Sequence, residues 1–151
     1  MVAKRNLLIL GPSFRRIKNN SFLPALERYD GLFFRVARKY LKNIKELDVV
    51  VMIDNLTLVD ASTRLPYKEP EGTQWGTKTV SNKILEKAKK SNETFLEKKL
   101  KKGKYREVFI SMGKEYAKAL PAFSRYNVKV IFPSTGGPGP KAQALKEWLN
   151  K

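Results

Sequence analysis

Any chemistry in this 151-residue chain would have to come from carboxylates, hydroxyls, aromatic rings and cations, because it contains no histidine and no cysteine. Imidazole bases, thiolate nucleophiles and Cys or His zinc sites are therefore excluded, and with them most familiar catalytic constellations. The clustered carboxylates are Asp54, Asp60, Glu69 and Glu71. Two of them could act as general acid and base or hold Mg²⁺, but their spacing demands neither, and solvated surface carboxylates satisfy the same pattern. Glu69 and Glu71 fall in a Pro/Gly-containing loop, Arg64 to Lys78, long enough to be a binding loop or lid. In it Tyr67 and Trp75 could stack on a nucleobase or pack back onto the protein.

Two loops could hold phosphate. Pro133 to Lys141 reads Pro-Ser-Thr-Gly-Gly-Pro-Gly-Pro-Lys between a strand and a helix. Such a turn can present backbone N–H groups beside the positive end of a helix dipole. It lacks the Lys-Ser/Thr ending of a nucleotide-triphosphate loop, and its prolines remove donors, so it is either a tight connection or an anion contact through Lys141. The second loop, Gly11 to Lys18, carries Ser13, Arg15, Arg16 and Lys18 after the first strand. In an open α/β sheet, loops at the strand carboxyl ends form the ligand crevice.

Charge supplies the strongest constraint. Thirty-one Lys and Arg against 14 Asp and Glu give a net charge of +17. Self-repulsion of that size is best explained by a polyanionic partner. The excess is uneven: residues 81–106 hold ten basic and three acidic side chains, whereas residues 49–80 hold three and four. A membrane surface would ask for a basic helix with exposed large apolar residues, and the apolar stripes here are needed for a core, so nucleic acid is the better partner. The apolar run Leu7 to Leu10 is far shorter than a signal-peptide core or membrane span, and the expected location is cytoplasmic. Lysine and glutamate enrichment without cysteine suits a heat-adapted source.

The elements that must position these residues alternate. Strands are expected at Asn6 to Leu10, Asp48 to Ile53, Glu107 to Met112 and Val128 to Phe132. Helices are expected over Gly31 to Lys45, Ser81 to about Lys102 with a break near Ser91-Asn92, Gly113 to Leu120, and Pro140 to Leu149. In the first helix the apolar positions face a core, leaving Arg35, Arg38, Lys39 and Lys42 outward at three- and four-residue spacing. These like charges should repel unless a phosphate lies between them, so their removal is expected to leave stability unchanged or raised. The result is a single α/β domain over residues 1–151, its mostly parallel sheet covered by helices on both sides.

The segment Leu23 to Tyr40, reading LPALERYDGLFFRVARKY, resembles a prokaryotic family related to the YaaA group, itself similar to the uracil-DNA-glycosylase-like domains of archaeosine-type tRNA-modification enzymes. Gly11 to Lys18, Leu65-Pro66-Tyr67, Gly113-Lys114-Glu115-Tyr116, Gly136 to Gly139 and Leu145-Lys146-Glu147-Trp148-Leu149 follow that family's order. The resemblance implies a uracil-DNA-glycosylase-like fold with a pocket at the strand ends. Departures fall on the pocket. The first loop has no cysteine, the loop Asp54 to Val59 has no glycine, and Pro66-Tyr67 is followed by Lys68 where the family has aspartate. Such a chain looks like an enzyme scaffold reused for binding.

The resulting expectation is an RNA-binding structural protein, a ribosomal or ribosome-associated component of a thermophilic archaeon. Its partners would be ribosomal RNA and ribosomal proteins, with no membrane, metal or small-molecule cofactor. Phosphate contacts would come from Arg15, Arg16, Lys18, Arg35, Arg38, Lys39, Lys42, Lys87, Lys89, Lys90, Lys98, Lys99, Lys101, Lys102, Lys104 and Lys141, with Tyr67 and Trp75 as stacking candidates. Two alternatives stay open. One is a nucleobase-modifying or glycosylase-like enzyme on tRNA or DNA using Asp54 or Asp60. The other is a nonspecific DNA-binding protein.

Overall fold

The computed structural model describes residues 5–41, 46–69, 82–101 and 104–151. Four runs of branched apolar residues make the body of the sheet: β1 (Arg5–Leu10), β3 (Leu47–Met52), β6 (Tyr105–Ser111) and β7 (Lys129–Ile131). All four are parallel, and β4 (Leu58–Asp60) adds an antiparallel edge beside β3, giving the order β4-β3-β1-β6-β7. Each central strand is continuous in apolar residues because both of its faces are covered. Leu7 and Ile9 enter one core with Leu85, Leu96 and Leu100 of α3 (Asn82–Leu100). Leu8 and Leu10 enter the other with Phe34 and Ala37 of α2 (Leu32–Tyr40) and Leu145, Trp148 and Leu149 of α5 (Pro138–Leu149). The protein is thus α/β, a mostly parallel five-stranded mixed sheet between two helical layers.

Several short elements lie outside the sequence expectation. α1 (Ala25–Arg28) and the ribbon of β2 (Leu23–Pro24) with β5 (Arg64–Leu65) are too brief to carry a periodic signal. β4 is three residues long and follows a turn in which Leu56 takes φ 67°. That left-handed conformation normally goes to glycine. α4 spans Lys114–Ala117, shorter than the expected Gly113 to Leu120, and α5 begins with Pro138 near its N-terminus, two residues before the expected Pro140.

The expected break in α3 at Ser91-Asn92 is corrected: the helix runs unbroken. Asn92 is fully buried, and its amide bonds outside its own helix. It accepts from the Leu58 N–H at 2.8 Å and donates to the Leu56 and Ala119 carbonyls at 2.9 Å each. A side chain so occupied does not compete with the helical ladder. Among the described residues no helix is long and apolar enough to cross a membrane.

Candidate functional site

The parallel strands change direction of progress between β1 and β6, which places the expected crevice at their carboxyl ends. Its base is narrow. The Gly11 N–H donates to the Ser111 carbonyl at 3.0 Å, and a Cβ on Gly11 would lie 2.4 Å from that of Met112, so only glycine fits there.

Beside this contact the crevice is occupied by Arg16. Its side chain is 3% exposed and grips Asp54 with both terminal nitrogens, at 2.9 and 3.0 Å. It also donates to the Ser13 and Lys68 carbonyls and lies 5.0 Å over the Tyr29 ring. The Ser13 hydroxyl donates to the Arg15 carbonyl at 2.7 Å and does not face Asp54. Arg28, 1% exposed, ties the same loop down by donating to the Ile17, Ser21 and Leu65 carbonyls and to the Asn19 amide oxygen. What remains is a cavity of about 200 Å³ walled by Arg16, Tyr29, Asp54 and Pro66. Arg16, nominated as a phosphate contact, is committed to a carboxylate and sealed from solvent.

The carboxylates likewise face different cations. Asp60 meets Lys99 at 2.8 Å and Glu69 meets Lys18 at 3.7 Å, while Glu71 lies outside the described residues. No group of three or more acidic residues that could hold a metal occurs among the described residues.

On α2 the expected repulsion is resolved from within. Asp30 lies between the two guanidinium groups, with Arg35 Nη2 at 2.8 Å and Arg38 Nη2 at 2.5 Å. Arg38 further donates to the Leu26 and Tyr29 carbonyls. The bond from Arg35, joined by that from Arg38, holds the Asp30 carboxyl below the usual carboxylate range despite partial burial. The sequence expectation that a phosphate must separate these arginines is therefore corrected. Lys39 is exposed beside the Tyr40 ring, and Lys42 lies outside the described residues. Arg15 and Lys18 are exposed, with Lys18 over the half-buried Tyr67 ring at 5.8 Å. Trp75 lies outside the described residues. Lys141 is half-buried in the first turn of α5, whose N-cap Gly137 makes no side-chain bond.

The larger cavities lie along α3. One of about 420 Å³ is lined by Asp54, Asn55, Thr57, Lys68, Ile84, Lys87, Ala88 and Ser91. The next, about 610 Å³, is lined by Asp60, Ser91, Thr94, Phe95, Lys98, Lys99 and Lys104. They share Ser91, and together they form a groove between α3 and the β3–β4 hairpin. Helical geometry explains its chemistry. Lys87, Ser91, Thr94 and Lys98 follow one another at spacings of four, three and four, so they form one stripe facing the groove. The acidic residues of the helix, Glu86, Glu93 and Glu97, occupy a different stripe with Lys83, Lys90 and Lys101. Glu93 and Glu97 lie near enough to Arg125 to act on it electrostatically. The groove stripe is thus lysine and hydroxyl without a helix carboxylate, while the other stripe is charge-balanced. Lys89 is also exposed, away from the groove stripe, and Lys102 lies outside the described residues.

Of the residues nominated from sequence, Lys87, Lys98, Lys99 and Lys104 come together here, and Lys99 is shared with Asp60. Sequence reasoning missed Ser91, Thr94 and Asn92. A polar residue within the apolar register 85-88-92-96-100 was the available signal for Asn92. Comparison of the chain with protein-family models, with curated proteins and with solved structures gave no match.

Proposed function

We propose that the protein binds RNA, as a structural component and not as a catalyst, and that the α3 groove is its principal contact. The observation that carries this reading is the sorting of charge on α3: Lys87, Ser91, Thr94 and Lys98 face two adjoining cavities whose aspartates, Asp54 and Asp60, are paired with Arg16 and Lys99, while the helix's glutamates lie on the neighbouring stripe. A solvated helix face of a heat-adapted protein would interleave the two signs. The net charge of +17 adds long-range attraction for a polyanion. Arg16 in the strand-end crevice supports binding over catalysis, because it occupies the space a reacting base would need and engages Asp54, the nearest carboxylate.

The motif order from Gly11 to Leu149 supports a glycosylase-like nucleobase-enzyme scaffold turned to binding, and ribosomal RNA in the cytoplasm is the partner this reading favours. Co-sedimentation with ribosomal subunits through a salt series tests it. With six or more phosphates neutralised, affinity should fall by about three orders of magnitude between about 50 and about 200 mM salt. Binding indifferent to salt would exclude the mechanism.

A further inference from the structure

The α3 groove has features that a merely cationic face does not need. Each of its two cavities combines an apolar side chain with lysine, and the one aspartate in each, Asp54 or Asp60, is already paired with Arg16 or Lys99. In the first, Ile84, 49% exposed, stands beside Lys87. In the second, the half-buried Phe95 stands beside Lys98 and Lys104. Ser91 forms the neck between them. From Lys87 to Lys98 the stripe extends about 16 Å along the helix. A duplex keeps its bases stacked and presents a convex row of phosphates, so it would touch the rim of such a groove and leave both cavities empty. An unpaired strand can turn bases inward onto apolar surface while its phosphates meet lysine.

The groove walls are also fixed. Asn92 bonds α3 to Leu56 and Leu58 of the opposite wall, so the cavities exist before any ligand arrives.

We propose that the groove takes a single-stranded stretch of RNA, one unstacked base entering each cavity against Ile84 or Phe95 while Lys87, Lys98 and Lys104 meet the neighbouring phosphates. This rests on the RNA-binding reading and specifies the form of RNA recognised.

Fluorescence anisotropy of the full chain tests it with a short unstructured oligouridylate and a fully paired RNA duplex carrying the same number of phosphates. The oligouridylate should bind about tenfold or more tightly than the duplex, the equivalent of one stacked base. Ser91→Leu fills the neck without changing charge and should lower single-strand affinity about tenfold while leaving duplex affinity unchanged. The double variant Lys87→Gln/Lys98→Gln should reduce the single-strand salt slope by about 1.4, at about 0.7 per phosphate contact. Lys89→Gln/Lys90→Gln, an equal charge loss on the same helix, should leave that slope unchanged. Duplex binding as tight as single-strand binding, indifference to Ser91→Leu, or equal effects of the two lysine pairs would each overturn the groove proposal while leaving RNA binding intact. If the wild-type protein binds neither RNA at low salt, both readings fall.

Discussion

Asp30 decides how the cations of α2 behave. A carboxylate five residues before Arg35 and eight before Arg38 is outside the three- and four-residue spacing by which helix neighbours are recognised. Its position between them depends on the chain turning at Gly31, where an added Cβ would lie 2.5 Å from the Ser13 hydroxyl. The outward direction of these arginines was legible in the periodicity, and Asp30 was near in sequence, but its place between the two guanidinium groups was not legible. Arg38→Ala should therefore destabilise the protein by about 1–2 kcal/mol in urea unfolding, because it leaves the Leu26 and Tyr29 carbonyls without a donor and weakens the pairing of Asp30. The more exposed Arg35→Ala should cost less than Arg38→Ala in the same assay.

Titration adds two checks. Asp30 is held low by Arg35 and then Arg38, and Asp48 by Arg5 with help from Tyr105, so both stay ionised in the folded state to a lower pH than in the unfolded chain. Their stabilisation is complete above about pH 4 and is lost as pH falls further through the depressed values. At the other extreme, burial and then the field of Asp54 push the Tyr29 hydroxyl up to about 12. The unfolded chain then ionises first, and stability should decline between about pH 10 and about pH 12. Tyr29→Phe should flatten part of that decline in unfolding curves measured across the interval.

At the scale of elements, the sequence carried most information where burial imposed a period. The four parallel strands and the α2 face were legible because two-sided burial leaves a continuous apolar run and one-sided burial of a helix leaves an apolar stripe at helical spacing. β2, β4, β5 and α1 were not, since two to four residues cannot establish a period and their pairing depends on distant partners such as Leu23 with Leu65. The groove fell between these cases. Its lysines could be counted from sequence, yet the absence of glutamate from the stripe of Lys87 and Lys98 matters only because the β3–β4 hairpin stands opposite. Asn92 looked like an interruption for the same reason, its three partners lying 27 to 36 residues away. Asn92→Ala should remove all three bonds and leave an N–H and two carbonyls buried without partners, lowering stability by about 2–4 kcal/mol in urea. Retained helical circular dichroism with a lower unfolding midpoint would match this account, and an unchanged midpoint would contradict it.

For the molecule as a whole, the charge that attracts a polyanion also opposes compactness. Salt should consequently act in opposite directions on the two properties. It should raise the unfolding temperature of the protein alone, by screening repulsion within the +17 surface, while lowering affinity for RNA. Thermal melts with and without RNA over one salt series would show the two trends crossing, and a salt-independent melting temperature for the protein alone would deny that repulsion matters. The Asn92 bridge has a kinetic consequence as well. A groove whose two walls are joined through the core needs no ordering step when a strand enters, so encounter alone should limit association. In stopped-flow mixing, the observed rate should rise linearly with RNA concentration in a single phase, without the plateau that a slow closure would impose.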